Sequence, residues 1–443
     1  MRTSHRRQFL HDSAALTAAL AALPAAGARA EDLPRENADA KPAGPNEVLR
    51  VAVVGVHGRG MEHIRGFGHL KDQARITTIC DADLNVTERA SKAIAGIYKE
   101  APKVVQDIRR VLDDKSIDVI SIATPNHWHA LMAIWACQAG KDVYVEKPVS
   151  HNVVEGRRIV EAARKYGRIV QTGTQCRSHK GIQDAMAFLH SGKLGHVYMA
   201  KGLCYKWRPS IGHKPEEAVP TGLDFDLWTG PAPKHAFSKN LVHYNWHWNW
   251  DFGNGDLGNQ GIHQMDLARW GLNKKEMPRA VMASGGRFGY TDDGQTPNTL
   301  AVSFDYEDCE LQFEVRGLIT NSEEGVRVGN LYYGTEGILA ITSYQDWHVL
   351  LGPKLEKGPH GSGGGDHFAN FLQAVRARDR KILNAEIAEG HLSSAYCHLG
   401  NIAYRLGRKL HINPSTESFV DDPAADAMLT REYRAPFVVP AKV

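Results

Sequence analysis

The sequence has little excess charge, no clustered cysteines and, beyond its N-terminus, no long apolar run. The chain has 443 residues and a formal net charge of +3. It contains no basic stretch beyond short arginine pairs, which argues against nucleic-acid binding. No apolar stretch after the N-terminal region is long enough to span a membrane. These absences leave a soluble-type globular composition and a length typical of two or three domains.

Disulfide scaffolds and repeat architectures are also disfavoured. The cysteines are scattered, without a CxxC pair, and a chain of this length buries a large core without disulfides. We therefore expect mostly buried thiols at Cys80, Cys137, Cys176, Cys204, Cys309 and Cys397. No internal repeat is evident, and the low-complexity patch "GSGGGD" predicts a flexible loop before a helix.

The N-terminus has the pattern of a cleaved export signal. Arg6 and Arg7 precede "FL", an Ala/Leu stretch and "ARA". The paired arginines predict the twin-arginine route and a periplasmic or otherwise exported protein. His5 stands where that signal usually has Ser or Thr, and an ordinary secretory signal is the alternative. We assign residues 1–30 to the signal and 31–47 to a disordered, proline-containing linker.

An apolar run near the start of the folded chain ends in a glycine-rich turn. Val51–Val54 is followed by Gly55, Gly58 and Gly60, and then by a helical pattern. A strand that enters a helix through G-x-x-G-x-G is typical of dinucleotide binding. The glycines let the backbone approach a pyrophosphate, and the helix N-terminus offers amide donors. Arg59, inside the turn, is a further candidate cofactor contact.

An acid follows the next predicted strand, "ARITTIC". Asp81 lies about 20 residues after the last glycine, where a carboxylate binds the ribose hydroxyls of NAD. A carboxylate there disfavours the 2′-phosphate of NADP, so NAD is favoured and NADP remains possible. Asp83 is the alternative ribose ligand.

Two more predicted strands end in polar motifs, "TPNHWH" and "VEKPVS". Strands that alternate with helices predict a parallel sheet, whose carboxyl ends share one edge. Pro125, Asn126, His129, Glu146 and Lys147 are therefore expected to line one crevice with the glycine turn. A lysine at the rim of a nicotinamide site can donate a hydrogen bond or, if burial lowers its pKa, transfer a proton.

These motifs, in this order and spacing, resemble the Gfo/Idh/MocA oxidoreductases, named for glucose-fructose oxidoreductase and inositol dehydrogenase. The resemblance implies an NAD(P)-dependent enzyme that oxidises a CH–OH group of a sugar, polyol or glycoside. It implies that Lys147 acts in acid–base catalysis, often with a cis Lys-Pro bond. Residues 48–170 are the expected Rossmann domain and 171–412 the expected second domain.

The second domain is predicted to be α+β with an open, largely antiparallel sheet. Leu300, Val302, Phe304 and Tyr306 alternate at period two, and a second alternating run follows after a short turn. The outer face of this sheet is a candidate homo-oligomer interface, as the family often shows. Residues 413–443 are expected to form a peripheral tail.

A glycine-rich turn in this domain, "NQGIHQMD", is similar to the family pattern D-x-G-x-H-x-x-D. Asn259 stands at the first Asp position, His263 at the His position, and Asp266 one helical turn further. Because an amide cannot accept a proton, His263 becomes the candidate base for the substrate hydroxyl, while Asn259 stays a candidate catalytic residue that can hydrogen-bond this hydroxyl. A capping or core histidine is the alternative. Asp266 is a candidate substrate contact.

The segment "HYNWHWNW" precedes this turn. Trp246, Trp248 and Trp250 alternate at period two, which would place their rings on one side as platforms for a sugar, although an apolar lining is an equal alternative. His243 and His247 lie four residues apart, but no third ligand is evident, so we expect no metal.

Further upstream, Lys206 and Arg208 are candidate substrate contacts. An exported enzyme meets no exchangeable NAD pool, so we expect a tightly held cofactor that is recycled in the site. The open alternatives are a sugar dehydrogenase, a redox-neutral NAD-dependent glycosidase and a non-catalytic sugar-binding protein.

Overall fold

The structure is a computed structural model that describes residues 47–443. The predicted signal over residues 1–30, and the linker before Glu47, lie outside the described residues.

A parallel sheet of six strands forms the first part of the described chain. Its strands are β1 (Leu49–Val54), β2 (Ala74–Cys80), β3 (Lys103–Val105), β4 (Val119–Ile122), β5 (Asp142–Val145) and β6 (Val170–Thr172). The strand order is β3-β2-β1-β4-β5-β6, and every neighbouring pair is parallel. The predicted Rossmann fold is confirmed, with the order reversing between β1 and β4.

Helices cover both faces of this sheet. They are α1 (Gly60–Gly68), α2 (Thr87–Tyr98), α3 (Ile108–Leu112), α4 (Asn126–Gln138) and α5 (Val153–Lys165). In β1, Val51 and Val53 pack into one core layer while Ala52 and Val54 pack into the other. Burial on both faces explains why the strand sequence is uniformly apolar rather than alternating.

A second sheet of ten strands follows. Its strands are β7 (Val197–Cys204), β8 (Ala280–Gly286), β9 (Thr299–Asp305), β10 (Glu310–Arg316), β11 (Val328–Gly334), β12 (Gly337–Ile341), β13 (Trp347–Leu351), β14 (Glu356–Gly361), β15 (Leu410–Asn413) and β16 (Ser418–Phe419). The order is β14-β13-β12-β11-β7-β10-β9-β8-β15-β16, with β7 and β10 parallel and the other neighbours antiparallel. The predicted open, largely antiparallel sheet is confirmed.

The remaining helices pack on one face of the second sheet or against the first domain. They are α6 (Lys180–His190), α7 (Phe225–Thr229), α8 (Gly255–Asn259), α9 (Gly261–Gly271), α10 (His367–Ala377), α11 (Ile387–Leu406) and α12 (Pro423–Asp426). Single 3₁₀ turns occur at Leu84–Val86, Gln175–Ser178, Asn245–Trp248, Arg380–Ile382 and Ala427–Leu429. Helix α11 contacts α5 of the first domain as well as α9 and β8 of the second. It therefore holds the two sheets together behind the site described below.

The residues after Asn413 are not peripheral, contrary to the expectation from sequence. Phe437 and Val439 are buried in the core of the first domain. The Phe437 ring lies 5.2 Å from that of Trp128 on α4. Apolar side chains that the end of the chain supplies thus complete the Rossmann core.

The six cysteines are free, and all except the half-buried Cys309 are buried. Burial raises the pKa of the Cys137 and Cys397 thiols, so these thiols stay protonated at neutral pH. Within residues 47–443, the structure contains no helix of the length and apolarity that a membrane crossing requires.

Candidate functional site

A cleft of about 410 Å³ lies at the carboxyl ends of the first sheet. Its walls include the glycine turn, the ends of β2, β4 and β5, and the N-terminus of α4. The second domain contributes Asn259 and a loop that contains Tyr244 and His247. The cleft thus lies where the strand order reverses, the place where open α/β sheets bind ligands.

The glycine turn fits a dinucleotide. Gly55 has φ of +82°, and a Cβ there would lie 2.7 Å from the carbonyl oxygen of Ala123. A Cβ on Gly60 would collide with the carbonyl of Gly55, whereas Gly58 has open space above its Cα. The backbone is therefore tightly folded but open towards the cleft, as a pyrophosphate requires.

Asp81 is oriented by the same turn. Its carboxylate accepts hydrogen bonds from the backbone N–H of Val56 at 2.8 Å and of Asp83 at 3.0 Å. Burial raises the pKa of Asp81, and these two hydrogen bonds oppose the shift. Asp83 itself caps the turn at Asn85 and pairs with His243. Because Asp81 lines the cleft and Asp83 does not, the geometry favours Asp81 as the ribose ligand.

Glu146, at the end of β5, is a buried anion between cations. Its carboxylate accepts from Arg59 Nε at 2.7 Å and contacts His63 Nε2 at 3.1 Å. Burial opposes ionisation, but Arg59, His63 and Lys147 together hold the pKa of Glu146 well below its usual range. Glu146 thereby keeps the cationic groups of the turn in place. The sequence did not predict His63 as a site residue. The signal that could have identified it is its position in the first turn of α1, directly after the glycine turn.

Lys147 lies beside Glu146, and the peptide bond to Pro148 is cis. Its Nζ donates a hydrogen bond of 2.7 Å to the backbone carbonyl of Asn259. Burial lowers the pKa of Lys147, while the charge of Glu146 raises it. The net direction is downward, so the amine is more available for proton transfer than an exposed lysine.

His129, on α4, supports this turn from behind. Its Nδ1 lies 2.6 Å from the carbonyl of Pro148 and its Nε2 lies 2.7 Å from that of Thr124. Burial lowers the pKa of His129 despite these two carbonyl contacts. Pro125 and Asn126 cap the same helix and line the cleft. His129 therefore joins the two strand-end motifs, with both ring nitrogens directed at backbone carbonyls.

His263, the candidate base, lies on α9 and is buried, and it is not among the residues that line the cleft. Its ring packs 5.1 Å from that of Tyr344, and its Nδ1 has no hydrogen-bond partner within residues 47–443. Burial, followed by the positive charge of Lys147, holds its pKa well below 6.5. The imidazole is thus neutral at physiological pH. Asn259, four residues earlier, contacts Lys147 through its backbone rather than through the amide that the sequence comparison singled out.

The prediction that Asp266 contacts the substrate is wrong. Its carboxylate accepts hydrogen bonds from Arg177 Nε at 2.8 Å and from the Ser393 hydroxyl at 2.7 Å. Both ion-pair side chains are nearly inaccessible, and neither lines the cleft. Asp266 shares a helix with His263, but it faces Arg177 and the core, so it is structural rather than a substrate contact.

The prediction that the three tryptophan rings lie on one side is also wrong. Residues Asn245–Trp248 form a 3₁₀ turn, so the rings do not share one side. Trp246 lines the cleft, Trp248 is buried beneath the guanidinium of Arg208 at 5.1 Å, and Trp250 lies elsewhere. A period-two pattern places rings together only in an extended strand.

Two other candidate substrate contacts lie outside the cleft lining. Arg208 donates to Asp256 at 2.8 Å through Nε and to the Tyr244 hydroxyl at 3.3 Å through Nη1. Its charge is therefore paired within the protein and not free for a substrate. Lys206 is exposed and does not line the cleft.

His243 connects the second domain to the adenosine end of the cleft. Its Nε2 lies 2.8 Å from the Asp83 carboxylate, and its ring stacks on His57 at 4.3 Å. His247 instead contacts the Tyr244 carbonyl. No cluster of three or more His, Cys, Asp or Glu side chains within residues 47–443 is placed to hold a metal ion.

Comparison with known proteins identifies the family. The model of the oxidoreductase family's NAD-binding Rossmann fold matches residues 49–174. The model of that family's C-terminal alpha/beta domain matches residues 188–439, more than half of the chain. The chain belongs to the Gfo/Idh/MocA oxidoreductase family. The cofactor of its first domain is NAD, for which the glycine turn and Asp81 are suited.

Individual relatives are more distant. Inositol 2-dehydrogenase of Salmonella typhimurium is 30% identical over 172 residues, which are 39% of this chain and 50% of the relative. The alpha-N-acetylgalactosaminidase of Shewanella oneidensis is 34% identical over 175 residues, 37% of this chain and 38% of that protein. The chain thus spans at most about half the length of these curated relatives. Levoglucosan dehydrogenase, solved with NADH and levoglucosan, aligns with a TM-score of 0.62 at 17% identity, covering 85% of this chain and 100% of that one.

Proposed function

We propose that the protein oxidises a CH–OH group of a sugar, polyol or glycoside, with NAD as hydride acceptor. The observation that carries the proposal is Lys147. Its partly buried amine lies at the end of β5, beside an ionised Glu146 and within the NAD cleft. Names of relatives point the same way, because inositol 2-dehydrogenase and levoglucosan dehydrogenase act on polyhydroxylated substrates.

Two groups are the candidates for taking up the hydroxyl proton. Lys147 binds the substrate hydroxyl or accepts its proton when neutral, and the Asn259 carbonyl orients its Nζ. His263 is neutral because its pKa is lowered, so it is in the state that a base requires. A carboxylate introduced by Asn259→Asp would raise the pKa of either group, and the ascending limb of the pH–rate profile would move to higher pH.

We propose that the cofactor is tightly held. His243 reaches from the second domain to Asp83, and with His57 it closes the adenosine end of the cleft. Release of the cofactor then requires this contact to break. Denaturing the purified protein and identifying the released nucleotide tests the proposal directly, and a protein free of nucleotide as purified would contradict it.

We further propose export by the twin-arginine route, on the strength of the paired Arg6 and Arg7. This pathway carries folded proteins, so NAD could be loaded before transport. Expression in hosts with and without a functional twin-arginine translocase tests export. Periplasmic protein in both hosts would indicate the ordinary secretory route instead.

A homo-oligomer formed through the second sheet is also a proposal. Met282 on β8 is 54% exposed and shares a face of this sheet with Ser303, Gln312 and Lys201, and this is the face that the proposal assigns to the partner subunit. Light scattering of the wild type and of Met282→Glu tests it, with a monomeric wild type as the contradicting result.

The second candidate function is redox-neutral glycoside cleavage. It is favoured by the similarity to the alpha-N-acetylgalactosaminidase over 175 residues. In this reaction the oxidised substrate would lose a proton and its aglycone, add water across the resulting double bond, and then be reduced by the NADH formed in the first step. Glycosides should be screened for cleavage beside free sugars for oxidation, since cleavage without net NADH formation distinguishes the two.

Lys147→Ala tests the central assignment. Loss of a catalytic acid–base group typically costs on the order of 10²–10⁴ in rate. The variant should still bind NAD, because the glycine turn and Asp81 are unchanged. Lys165→Ala, a lysine at the end of α5, is the matched control. Normal turnover by Lys147→Ala would overturn the role of this residue.

A further inference from the structure

Four histidines among residues 47–443 line the NAD cleft, and three of them are already engaged within the protein. Both ring nitrogens of His129 lie against backbone carbonyls. His243 is paired with Asp83 and stacked on His57 at the adenosine end. The remaining one is His247, which lies on the 3₁₀ turn that the second domain contributes to the cleft.

One ring nitrogen of His247 is fixed by the backbone, and the other is free. Nδ1 lies 2.5 Å from the carbonyl of Tyr244. Because a carbonyl only accepts, Nδ1 carries the proton of the neutral ring and Nε2 presents a lone pair. Within residues 47–443, Nε2 has no hydrogen-bond partner. Unlike Nδ1 of His263, it is not a buried atom, since the His247 ring is half-buried and lines the cleft.

Neighbouring rings hold the imidazole of His247 in one orientation. It stacks on the buried Trp246, with ring centroids 3.6 Å apart and planes 20° apart. On its other side the Tyr244 ring lies 4.6 Å away. The Trp246 indole is itself anchored, because its Nε1 donates to the His243 carbonyl at 2.9 Å. The free acceptor is therefore preorganised for a ligand rather than free to rotate.

The surroundings of His247 keep its imidazole neutral. Burial lowers its pKa to about 3, and the positive charges of Lys147 and Arg208 act in the same direction, while the contact with the Tyr244 carbonyl opposes the shift. The influence of Lys147 reflects the proximity of its amine to this ring. An imidazole in this state keeps its lone pair available as a hydrogen-bond acceptor throughout the neutral pH range.

A free acceptor in the cleft requires a donor from the bound molecule, and hydroxyl groups are the donors that sugars and polyols carry in several copies. The proton of the oxidised hydroxyl is assigned to Lys147 or His263. His247 is therefore available for another hydroxyl of the same molecule. Tyr244, which is exposed and lines the cleft beside it, offers an aromatic face for the C–H groups of a sugar ring.

We propose that Nε2 of His247 accepts a hydrogen bond from a second substrate hydroxyl, one that is not oxidised, and thereby selects polyhydroxylated substrates over simple alcohols. The inference rests on the proposed function, because it takes the oxidised hydroxyl to be the one at Lys147. A site that is built to hydrogen-bond a hydroxyl discriminates against the analogue that lacks it. The carboxamide of the nicotinamide ring is the competing donor, and measurements of NAD affinity separate the two.

Carbethoxylation tests the imidazole without any substrate. Diethyl pyrocarbonate modifies neutral, accessible imidazole nitrogens, and peptide mass spectrometry locates the product. At about pH 5.5, a histidine with the usual pKa of about 6.5 is mostly protonated and reacts slowly. His247 of the NAD-loaded protein should still react at this pH, and a sugar that the enzyme oxidises should protect it. An unmodified His247, or the absence of protection by such a sugar, would overturn the proposal.

Deoxy analogues identify the hydroxyl that is recognised. For a sugar that the wild type oxidises, analogues that each lack one other hydroxyl are compared by the apparent Kd from single-turnover rates. One analogue should bind the wild type about tenfold more weakly, with no such difference in His247→Ala. His247→Gln, which keeps an acceptor, should recover part of the discrimination. His411→Ala, which removes an exposed histidine on β15, should behave like the wild type. If His247→Ala does not fold, the carbethoxylated wild type replaces it.

Two results of this comparison would overturn the proposal. If His247→Ala discriminates against each analogue as the wild type does, His247 contacts none of the missing hydroxyls. If the variant loses affinity for NAD and not for the sugar, Nε2 binds the cofactor instead. A wild type that oxidises no sugar, although its His247 is carbethoxylated as expected, would contradict the proposed function itself, and the inference with it.

Discussion

The charge of Glu146 should set the pH at which Lys147 becomes neutral. Glu146 is the largest charged contribution that keeps the pKa of Lys147 up, whereas burial lowers it. Glu146→Gln preserves the shape and removes the charge. A neighbouring opposite charge typically shifts a pKa by about 1–3 units. We therefore expect the pKa of Lys147 to fall by about 1–3 units in the variant.

The sign follows from the chemistry. If Lys147 accepts the substrate proton, the rate rises as the pH passes upward through its pKa. A lower pKa then moves this ascending limb to lower pH. The assay is the single-turnover rate constant for NADH formation as a function of pH, measured on folded, NAD-loaded protein. Glu161→Gln, which changes the net charge equally on the outer face of α5, is the control and should leave the limb in place.

Two results would refute this reasoning. An ascending limb unchanged in Glu146→Gln would show that the titrating group does not sense Glu146. If the ascending limb of the pH–rate profile persists in Lys147→Ala, the titrating group is not Lys147. Arg59 provides a further check, because its Nε contacts Glu146 at 2.7 Å. Loss of the carboxylate leaves Arg59 without its partner, so NAD affinity should be measured alongside the rate.

Four other predictions follow from named contacts. Asp81→Ala should weaken the binding of NAD far more than the binding of NADP. An equal loss of affinity for both nucleotides in binding assays would exclude Asp81 as the ribose ligand. His263→Ala should abolish hydride transfer, and the ascending limb of the wild-type pH–rate profile above pH 6.5 should not belong to its imidazole, because its lowered pKa keeps it neutral there; hydride transfer at the wild-type rate in His263→Ala would exclude it as the base. His243→Ala should speed NAD release in stopped-flow measurements, because its bond to the first domain is lost; an unchanged rate would contradict the closure. Asp266→Asn should destabilise folding by about 1.5–3 kcal/mol in urea unfolding, because it removes one of the two carboxylates that pair with the buried Arg177, the other being Glu389 at 3.2 Å; a loss below about 1 kcal/mol would argue against a dry ion pair.

Local sequence was sufficient to predict the fold of the first domain and the half of the site that this domain contributes. Buried apolar runs that end in Gly55, Asp81, Asn126 and Lys147 alternate with helical segments, and right-handed crossovers place all such ends at one edge. The cleft at that edge was therefore predictable from strand ends alone. The same holds for the hairpin of β9 and β10, whose period-two pattern matches the observed register.

Contacts between distant segments were decided only by the tertiary structure. His63 and Glu146 are 83 residues apart, and Arg177 and Asp266 are 89 residues apart. Periodicity reports which face of a helix or strand a residue occupies, but not what packs against that face. For that reason the sequence predicted Asp266 to be a substrate contact, whereas in the structure it forms a buried ion pair with Arg177. The tryptophan segment read as an extended platform and proved to be a 3₁₀ turn, because packing against Arg208 and the cleft overrode the local pattern.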